Sequence, residues 1–293
     1  MENKSFFYRA QGRLIHELAP YLSDRLYLKL LFRHRVGYNL NLDNPQSYNE
    51  KLQWLKLNDI HSEYTQMVDK VEAKKYVASI IGEKYIIPTI SVYNNVDEID
   101  FNALPKQFVL KCTHDSGGIV VCKDKALLDV EKAKRKLKKG WGKNYYKYNR
   151  EYPYRDVKPR IIAEQYMEDE SGYELKDYKF FCFGGEPKLL FVATDRPLDT
   201  KFDFFDLNWN HLPFTNGHPN NPNPIAKPKN FEEMKDVARK LSQGLPHVRV
   251  DLYNVNGKIY FGELTFFHWS GMTPFVPQEW DYKLGELLKL PLK

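Results

Sequence analysis

The stretch VRVDLYNVNGKIYFGELTFF, Val248 to Phe267, alternates apolar or aromatic residues with polar ones around a central Asn256-Gly257. The pattern predicts two antiparallel strands joined by a tight turn. Three charged residues stand inside it, Arg249, Asp251 and Glu263, where a hairpin that only filled a core would carry apolar side chains. Two carboxylates facing the same way on neighbouring strands repel each other unless a cation neutralises them. One reading is an Arg–Glu cross-strand pair with a stray Asp. The other is a site for a hard divalent cation such as Mg²⁺, which takes oxygen ligands from one or two carboxylates plus substrate phosphates. Register separates the two. A two-residue turn without a bulge sets Asp251 opposite Gly262 and turns Glu263 to the other face. A three-residue loop at Val255 to Gly257 sets Arg249 opposite Glu263, with Asp251 on that same face. The metal reading therefore requires an odd-numbered loop or a bulge.

The rest of the chain supplies a setting for such a site. The 293 residues allow one large domain or two to three small ones, and 42% hydrophobic with 15% aromatic residues is ample for a core. No apolar run approaches the ~18 residues of a membrane span. The N-terminal MENKSFFYRAQGRLIHELAPYL has no continuous apolar segment of the signal-peptide kind. Cys112, Cys122 and Cys182 are an odd set without CxxC spacing, so reduced thiols and a cytosolic location are expected. The net charge of +6 suits an anionic small molecule, polymer or membrane surface and chooses none of them.

Residues 1 to about 65 read as helices, broken at Pro20, with a capping box at Ser47 and Glu50. The basic stretch Arg25 to Arg35 reads as a solvated helix face, with a membrane surface or acidic partner as the alternative. A helix ending near Gly82 follows, then a short strand in EKYIIPTISVY. FVLKCTHDSGGIVVCKDK reads as strand, glycine-containing loop, strand. DVEKAKRKLKKGWGKNYYKYN reads as a basic helix and a mobile aromatic loop. Three strands follow between Arg160 and Arg196, then a Pro/Asn-rich loop, a helix stopped by Gly244, the hairpin and a short tail. Strands and helices without βαβ alternation point to an α+β fold.

Three stretches could carry chemistry. Lys111 ends a strand just before a small-residue loop, where an ammonium and close backbone N–H groups can hold phosphates. An ordinary hairpin with a snorkelling lysine accounts for it as well. Glu164 lies in IIAEQYM, either as an edge-strand carboxylate or as part of an adenine hinge formed by the backbone of Glu164, Gln165, Tyr166 and Met167. In the second case Glu174 and Asp177 are near enough in sequence to reach a ribose. His114, His211, His218, His247 and His268 have no zinc-ligand spacing, no GxSxG elbow occurs, and no nucleic-acid-binding pattern accompanies the Lys-rich helix.

Together these stretches resemble the ATP-grasp superfamily, in which two α+β subdomains clasp ATP. VDKVEAK is similar to the Asp-Lys-x-x-x-Lys helix of carboxylate–amine ligases such as D-alanine–D-alanine ligase. FVLKCTHDSGG resembles their second lysine and glycine-rich phosphate loop, AEQYM their adenine hinge, and RVD with ELT their metal segment. SGMT resembles their acceptor loop. The resemblance implies phosphate contacts from Lys74, Lys111, Ser116, Gly117 and Gly118. It implies adenine and ribose contacts from Glu164 to Met167, Glu174 and Asp177. Metal ligation falls to Asp251, Glu263 and Thr265, with Thr265 standing where the family has Asn. Substrate contacts fall to Ser270, Gly271, Met272 and Thr273. Arg249 is the catalytic cation, with Lys179 and Arg196 as further candidates. In order along nearly the whole chain, NPQSYNEKLQWLKL, VDKVEAKKYV, LPKQFVLKCTHDSGG, DYKFFCFGGEPK, FFDLNW and GELTFF resemble the TupA-like ATP-grasp family, named for teichuronopeptide biosynthesis.

That resemblance implies three parts: an N-terminal helical segment, 1–66, and two ATP-grasp subdomains, 67–168 and 169–293. It also implies ATP and Mg²⁺, and joining of a small-molecule or saccharide carboxylate to an amine through an acyl phosphate, in cell-surface polysaccharide synthesis. The setting it implies is the cytoplasm, with room for contact with polysaccharide machinery at the inner face of the membrane. A nucleotide-sugar glycosyltransferase is the alternative, but the chain has no Asp-x-Asp. Oligomeric state and substrate identity stay open.

Overall fold

The computed structural model describes residues 6–115, 117–196 and 198–292. The N-terminal part is helical, as the periodicity predicts: α1 (Phe6–Leu18), α2 (Asp24–Val36), α3 (Tyr48–Asn58), α4 (Glu63–Val68) and α5 (Glu72–Ile81). α1 gives way to a 3₁₀ turn at Ala19–Tyr21, because Pro20 lacks an N–H and restricts the residue before it. The α3 capping box is present. Ser47 Oγ accepts from the Glu50 N–H at 3.2 Å, and Glu50 Oε2 accepts from the Ser47 N–H at 3.1 Å. α5 ends at Gly82, whose φ of 98° a side chain would resist.

The next strands are β1 (Thr89–Tyr93), β2 (Phe108–Cys112), β3 (Ile119–Cys122) and, after helices α6 (Val130–Trp141) and α7 (Tyr145–Asn149), β4 (Ile161–Gln165). They form an antiparallel sheet in the order β1-β4-β2-β3. The pleat splits its faces. Phe108, Leu110, Cys112, Ile161 and Ala163 join Ala133 and Leu137 of α6 in one apolar cluster. Lys111 pairs with Ile162 and Val109 with Glu164, which puts Lys111 and Glu164 on the opposite face. β4 lies between β1 and β2, so Glu164 is not on an edge strand.

A second antiparallel sheet has the order β10-β9-β5-β6-β7, from β5 (Asp177–Phe183), β6 (Glu186–Thr194), β7 (Lys201–Asp206), β9 (His247–Val255) and β10 (Lys258–Thr265). Short strands β8 (Thr215–Asn216) and β11 (Phe275–Val276) pair beside it. Helix α8 (Phe231–Ser242) buries Phe231, Met234, Val237, Ala238 and Leu241 at helical spacing, and Phe231 stacks on Phe180 of β5. The sheet's other face carries Phe181, Phe191 and Phe204 at one end, against Tyr48 of α3, and charged residues at the other. A second large cluster joins α1–α5 to this sheet, so the helical segment and the larger sheet share one core.

Besides the short strands β8 and β11, three longer elements were not anticipated from the sequence. The aromatic segment after α6 holds helix α7. β7 occupies Lys201–Asp206, and the expected tail is helix α9 (Glu279–Leu287). The α9 helix is tied to α3 through buried Asp281. Its Oδ1 accepts from the Asn49 N–H at 2.8 Å, and its Oδ2 accepts from Asn49 Nδ2 at 3.0 Å and Tyr38 Oη at 3.2 Å. Asp281→Ala leaves these buried donors unpaired and should cost about 2–4 kcal/mol, read by urea unfolding.

Candidate functional site

The hairpin turn is the two-residue kind. Val255 pairs with Lys258, and Asn256 and Gly257 have φ of 50° and 82°, as a type I′ turn requires. Of the two alternatives, the odd-numbered loop is not adopted and the bulge is. The register is rescued further along β10, where Gly262 is bulged out between Phe261, opposite Leu252, and Glu263, opposite Asp251. A Cβ at Gly262 would lie 3.0 Å from the Asp251 carbonyl and 3.2 Å from the Tyr253 ring, so glycine fits the bulge best. Glu263 consequently faces Asp251 rather than Arg249, and Arg249 faces Thr265. All four side chains share one face of the sheet.

Arg249 organises this face. Its Nε donates to Asp251 Oδ1 at 2.7 Å and its Nη2 to Asp251 Oδ2 at 2.7 Å, a bidentate pair. The same Nη2 reaches Thr265 Oγ1 at 3.0 Å and Glu263 Oε1 at 3.2 Å, and Thr265 Oγ1 donates to Glu263 Oε1 at 3.2 Å. Lys179, opposite Asp251 on β5, bonds Asp251 Oδ2 and lies 2.6 Å from Asp177 Oδ2. Arg196 Nη1 stands 3.2 Å from the same Asp177 oxygen. Asp177 Oδ1 is buried with no hydrogen-bond partner among the described residues.

Lys111 and Lys74 face this cluster from the small sheet and α5. Both grip Glu164: Lys111 Nζ is 2.6 Å from its Oε2, and Lys74 Nζ pairs with its Oε1. Lys74 also donates to Ile87 O at 2.8 Å and Thr89 Oγ1 at 2.9 Å. The two halves meet at a crevice lined by Lys70, Lys74, Lys111, Glu164, Gly262 and Glu263.

The electrostatics follow from this crowding. Burial raises the Glu164 pKa, but Lys111 and Lys74 outweigh it and hold the carboxyl at about 2. Burial likewise works against the charge of Glu263, which Lys179, Lys70 and Arg249 pull down to about 2. Asp251 goes the other way. Burial carries it up to about 6 in spite of Arg249 and Lys179, with Asp177 adding repulsion. Burial disfavours the charge on Lys111, but Glu164 raises its pKa overall.

Ser116 lies outside the described residues. Gly118 O accepts from the Cys112 N–H at 2.8 Å, closing the loop on β2. A Cβ on Gly118 would meet Cys112 Sγ at 2.6 Å, and one on Gly117 would meet Lys143 Nζ at 2.9 Å. Packing thus accounts for Gly118, whereas at Gly117 the near neighbour is the flexible end of Lys143. Asp115 occupies the loop's interior, with Lys143 Nζ 3.5 Å from its Oδ1 and Lys70 Nζ donating to its carbonyl at 2.9 Å.

At the far end of β4, Gln165 is exposed and its N–H pairs with Pro88 O at 3.0 Å. Tyr166 Oη donates to Glu168 Oε2 at 3.1 Å, and Met167 is half-buried. Glu174 Oε2 accepts from the Asp195 N–H at 2.8 Å, so its carboxylate is held by backbone rather than free to reach out. Asp177 faces Lys179 and Arg196, on the same side as the metal-type carboxylates.

The SGMT segment is held mainly through its backbone. Buried Lys56 donates to Ser270 O and Oγ, both at 2.8 Å; Gln53 Nε2 donates to Ser270 O at 3.0 Å and Gly271 O at 2.9 Å. Met272 is in the apolar core, which removes its side chain from the substrate contacts expected of it. Thr273 is half-exposed, and its carbonyl accepts from Asn49 Nδ2 and Asn216 Nδ2, both at 3.0 Å.

Sequence reasoning missed four participants. Lys70 and Tyr253 were legible in principle, the first as the leading lysine of VDKVEAK, the second by strand alternation from Asp251. His268 and Asn216 had no signal. Arg249 Nη1 donates to His268 Nδ1 at 2.7 Å, and His268 Nε2 donates to Asn216 Oδ1 at 2.8 Å. The aromatic segment after α6 and the Pro/Asn-rich loop are also anchored. Tyr27 Oη donates to Tyr148 O at 2.7 Å, and Asn220 Nδ2 donates to Phe202 O at 2.8 Å.

A family model described as TupA-like ATPgrasp matches residues 50–289. Among solved structures, D-alanine–D-alanine ligase from Helicobacter pylori is similar at 15% identity and a TM-score of 0.44, over 83% of this chain and 70% of that one. The ATP-grasp ligase PsnB, complexed with minimal precursor, Mg and ADP, is similar at 10% identity and 0.41, over 74% of this chain and 57% of its own. D-cycloserine synthetase DcsG is similar at 18% identity and 0.41, over 76% and 71%. This chain therefore spans little more than half the length of PsnB. No curated protein matches it.

Two measurements test the electrostatics. Glu164→Gln should cost about 3 kcal/mol at neutral pH. Because the folded pKa is depressed, that difference is present above about pH 4.5 and should shrink as pH falls towards 2, read by urea unfolding across the range. His268, whose pKa burial and then Arg249 push well down, should remain the neutral Nε2–H tautomer at pH 5 in ¹⁵N NMR spectra.

Proposed function

The chain belongs to the TupA-like ATP-grasp family, and from that premise we propose that it is an ATP- and Mg²⁺-dependent ligase that joins a carboxylate to an amine. The observation that carries this reading is the meeting of Glu263, which shares its face of the larger sheet with Asp251 and Arg249, with Lys111 of the small sheet and Lys74 of α5 across one crevice. Residues 67–168 and 169–293 are the two units that clasp the nucleotide in this reading, with 1–66 as support.

The donor set fits Mg²⁺. It consists of hard oxygens, two carboxylates with a hydroxyl beside them, and Asp177 Oδ1 adds a buried oxygen without a partner. Asp251, Glu263 and Thr265 would hold the ion, which when bound supplies charge neutralisation to the phosphates. Lys74, Lys111 and Lys70 draw negative charge towards the small sheet, and the Glu164 to Met167 segment receives the adenine. Lys111 and Lys74 exchange part of their grip on Glu164 for phosphate oxygens. Arg249, fixed by Asp251 and His268, offers its guanidinium to charge that develops during transfer.

The substrate carboxylate oxygen attacks the γ-phosphorus. The bond to the bridging oxygen breaks and ADP leaves. The amine then attacks the acyl phosphate carbon and phosphate departs. Lys179 and Arg196 steady the carboxylate, while Thr273, the half-exposed member of SGMT, faces the acceptor. The family's association with surface polysaccharides supports a hexuronic acid as carboxylate and an amino acid or amino alcohol as amine, handled in the cytoplasm or at the inner membrane face.

A phosphate-release screen tests the reading by pairing uronic acids, free and nucleotide-linked, with amines. ADP and phosphate should appear only when both partners are present. Glu263→Gln should lower that rate roughly 100-fold or more with an unchanged circular dichroism spectrum. Release of UDP or CMP from a nucleotide sugar, with ATP untouched, would overturn the proposal.

A further inference from the structure

The first two helices expose more apolar surface than a soluble helical hairpin needs. Phe6, Phe7 and Tyr21 are 76%, 82% and 84% exposed, and Leu14, Leu18, Leu26 and Leu30 are exposed as well. Single exposed apolar residues need no explanation, but a run of them on adjoining helices marks an interaction surface. On α1 the residues Phe7, Leu14 and Leu18 are spaced seven and four apart, so they line one stripe. On α2 Leu26 and Leu30 are one turn apart and form another.

The contacts between the helices fix how these stripes are turned. Tyr8 stacks on His34 with ring centroids 4.0 Å apart, Gln11 Oε1 bonds His34 Nδ1 at 3.1 Å, and Tyr27 Oη bonds His16 Nδ1 at 2.8 Å. The early residues of α1 therefore meet the end of α2 and the late ones meet its start, an antiparallel pair. α2 buries Tyr27, Leu28, Leu31 and Phe32 against the core. With α1 held by Tyr8, Gln11 and His16, helical geometry turns both stripes to the same side, away from that core.

The charge around this face says what covers it. Between residues 6 and 36 there are six Lys or Arg and two acidic residues, Glu17 and Asp24; Arg35 turns inward to Asn149 and Arg25 pairs with Asp43, which leaves Arg9, Arg13, Lys29 and Arg33 for this face. Asp24 is engaged by Arg150, 2.6 Å away. Lys29 and Arg33 flank the Leu26–Leu30 stripe one turn on. Apolar side chains bordered by cations suit a surface with an apolar interior and anionic headgroups. No helix among the described residues is long and apolar enough to cross a membrane, so the contact is with the surface.

We propose that α1 and α2 form a docking face that seats this protein on an anionic lipid bilayer. The face lies outside the crevice between the sheets, and the proposal stands whether or not the ligase reading holds.

Vesicle co-sedimentation of the full chain tests it, with phosphatidylcholine alone and phosphatidylcholine mixed with phosphatidylglycerol. Binding to the mixed vesicles should exceed binding to the neutral ones and weaken at high salt. Leu14→Ser with Leu26→Ser should reduce it by at least about tenfold, and Lys29→Glu with Arg33→Glu by a similar factor. Leu127→Ser, a more exposed apolar position elsewhere, should change nothing. Thermal melts confirm that each variant is folded. No binding, equal binding to neutral vesicles, or unchanged binding in the variants overturns the proposal. So does a dimer dissolved by the leucine substitutions in a protein that ignores vesicles, which would assign the face to a second copy.

Discussion

Gly262 has no partner on β9, and the arrangement of charge in the crevice depends on that one unpaired residue. Side chains alternate strictly along a strand, so every residue after the bulge changes face relative to an unbulged hairpin. Without it, Glu263 and Thr265 would point to the apolar face of the sheet, the side that α4 and α5 cover at β10. A carboxylate there would be desolvated among apolar side chains. With the bulge, Glu263 stands beside Asp251 and shares its guanidinium, while Leu264 takes the α8 side opposite Val250. The bulge thereby serves the core and the polar site at once.

The charges so assembled do not balance among themselves. Lys70, Lys74, Lys111, Lys179, Arg196 and Arg249 surround the crevice, against Glu164, Asp177, Asp251 and Glu263. Each anion is held between cations, which keeps the lysines extended and oriented in the absence of any ligand. Buried ion pairs add little net stability, since desolvation offsets attraction. Their effect here is to fix direction. The surplus of cations leaves the crevice attractive to a polyanion, and the neighbouring carboxylates Asp251 and Glu263 are driven apart in pKa, the inner one up to about 6 and the outer one down to about 2.

The hairpin, the capping box, the lysine strand and the helix before Gly244 were legible because each is a local pattern: alternation, a cap, a periodic face, a positive-φ glycine. The site was legible where its residues sit in such patterns, as Lys111, Asp251 and Glu263 do. The turn length stayed open because sequence spacing alone does not distinguish an odd loop from an even turn followed by a bulge. β7 was hidden by the aromatic run KFDFFD, which lacks turn residues that would announce a strand. α9 was short and weakly periodic. His268 could not be found at all. It meets Arg249 only because the chain folds back after β10, and nothing adjacent in sequence records that contact.

That return of the chain explains the helical N-terminal segment. Trp269, Ser270 and Gly271 have φ of 47°, 58° and 59°, three consecutive left-handed residues. For the two that carry side chains this conformation costs about 1–3 kcal/mol each, and it persists only where surroundings over-determine it. The surroundings here are α3. Gln53 and Lys56 donate to the carbonyls of Ser270 and Gly271, and Asn49 donates to that of Thr273. Gly271 is pressed so close to α3 that a Cβ would lie 2.4 Å from Gln53 Nε2. On the other side, Asn216 takes the carbonyls of Thr273 and Pro274 and accepts from His268, which accepts from Arg249. The loop is thus clamped between α3 and the hydrogen-bonded chain that ends on the central guanidinium. A continuous run of hydrogen bonds thus joins SGMT to Arg249, and α3 is part of what holds the site in shape.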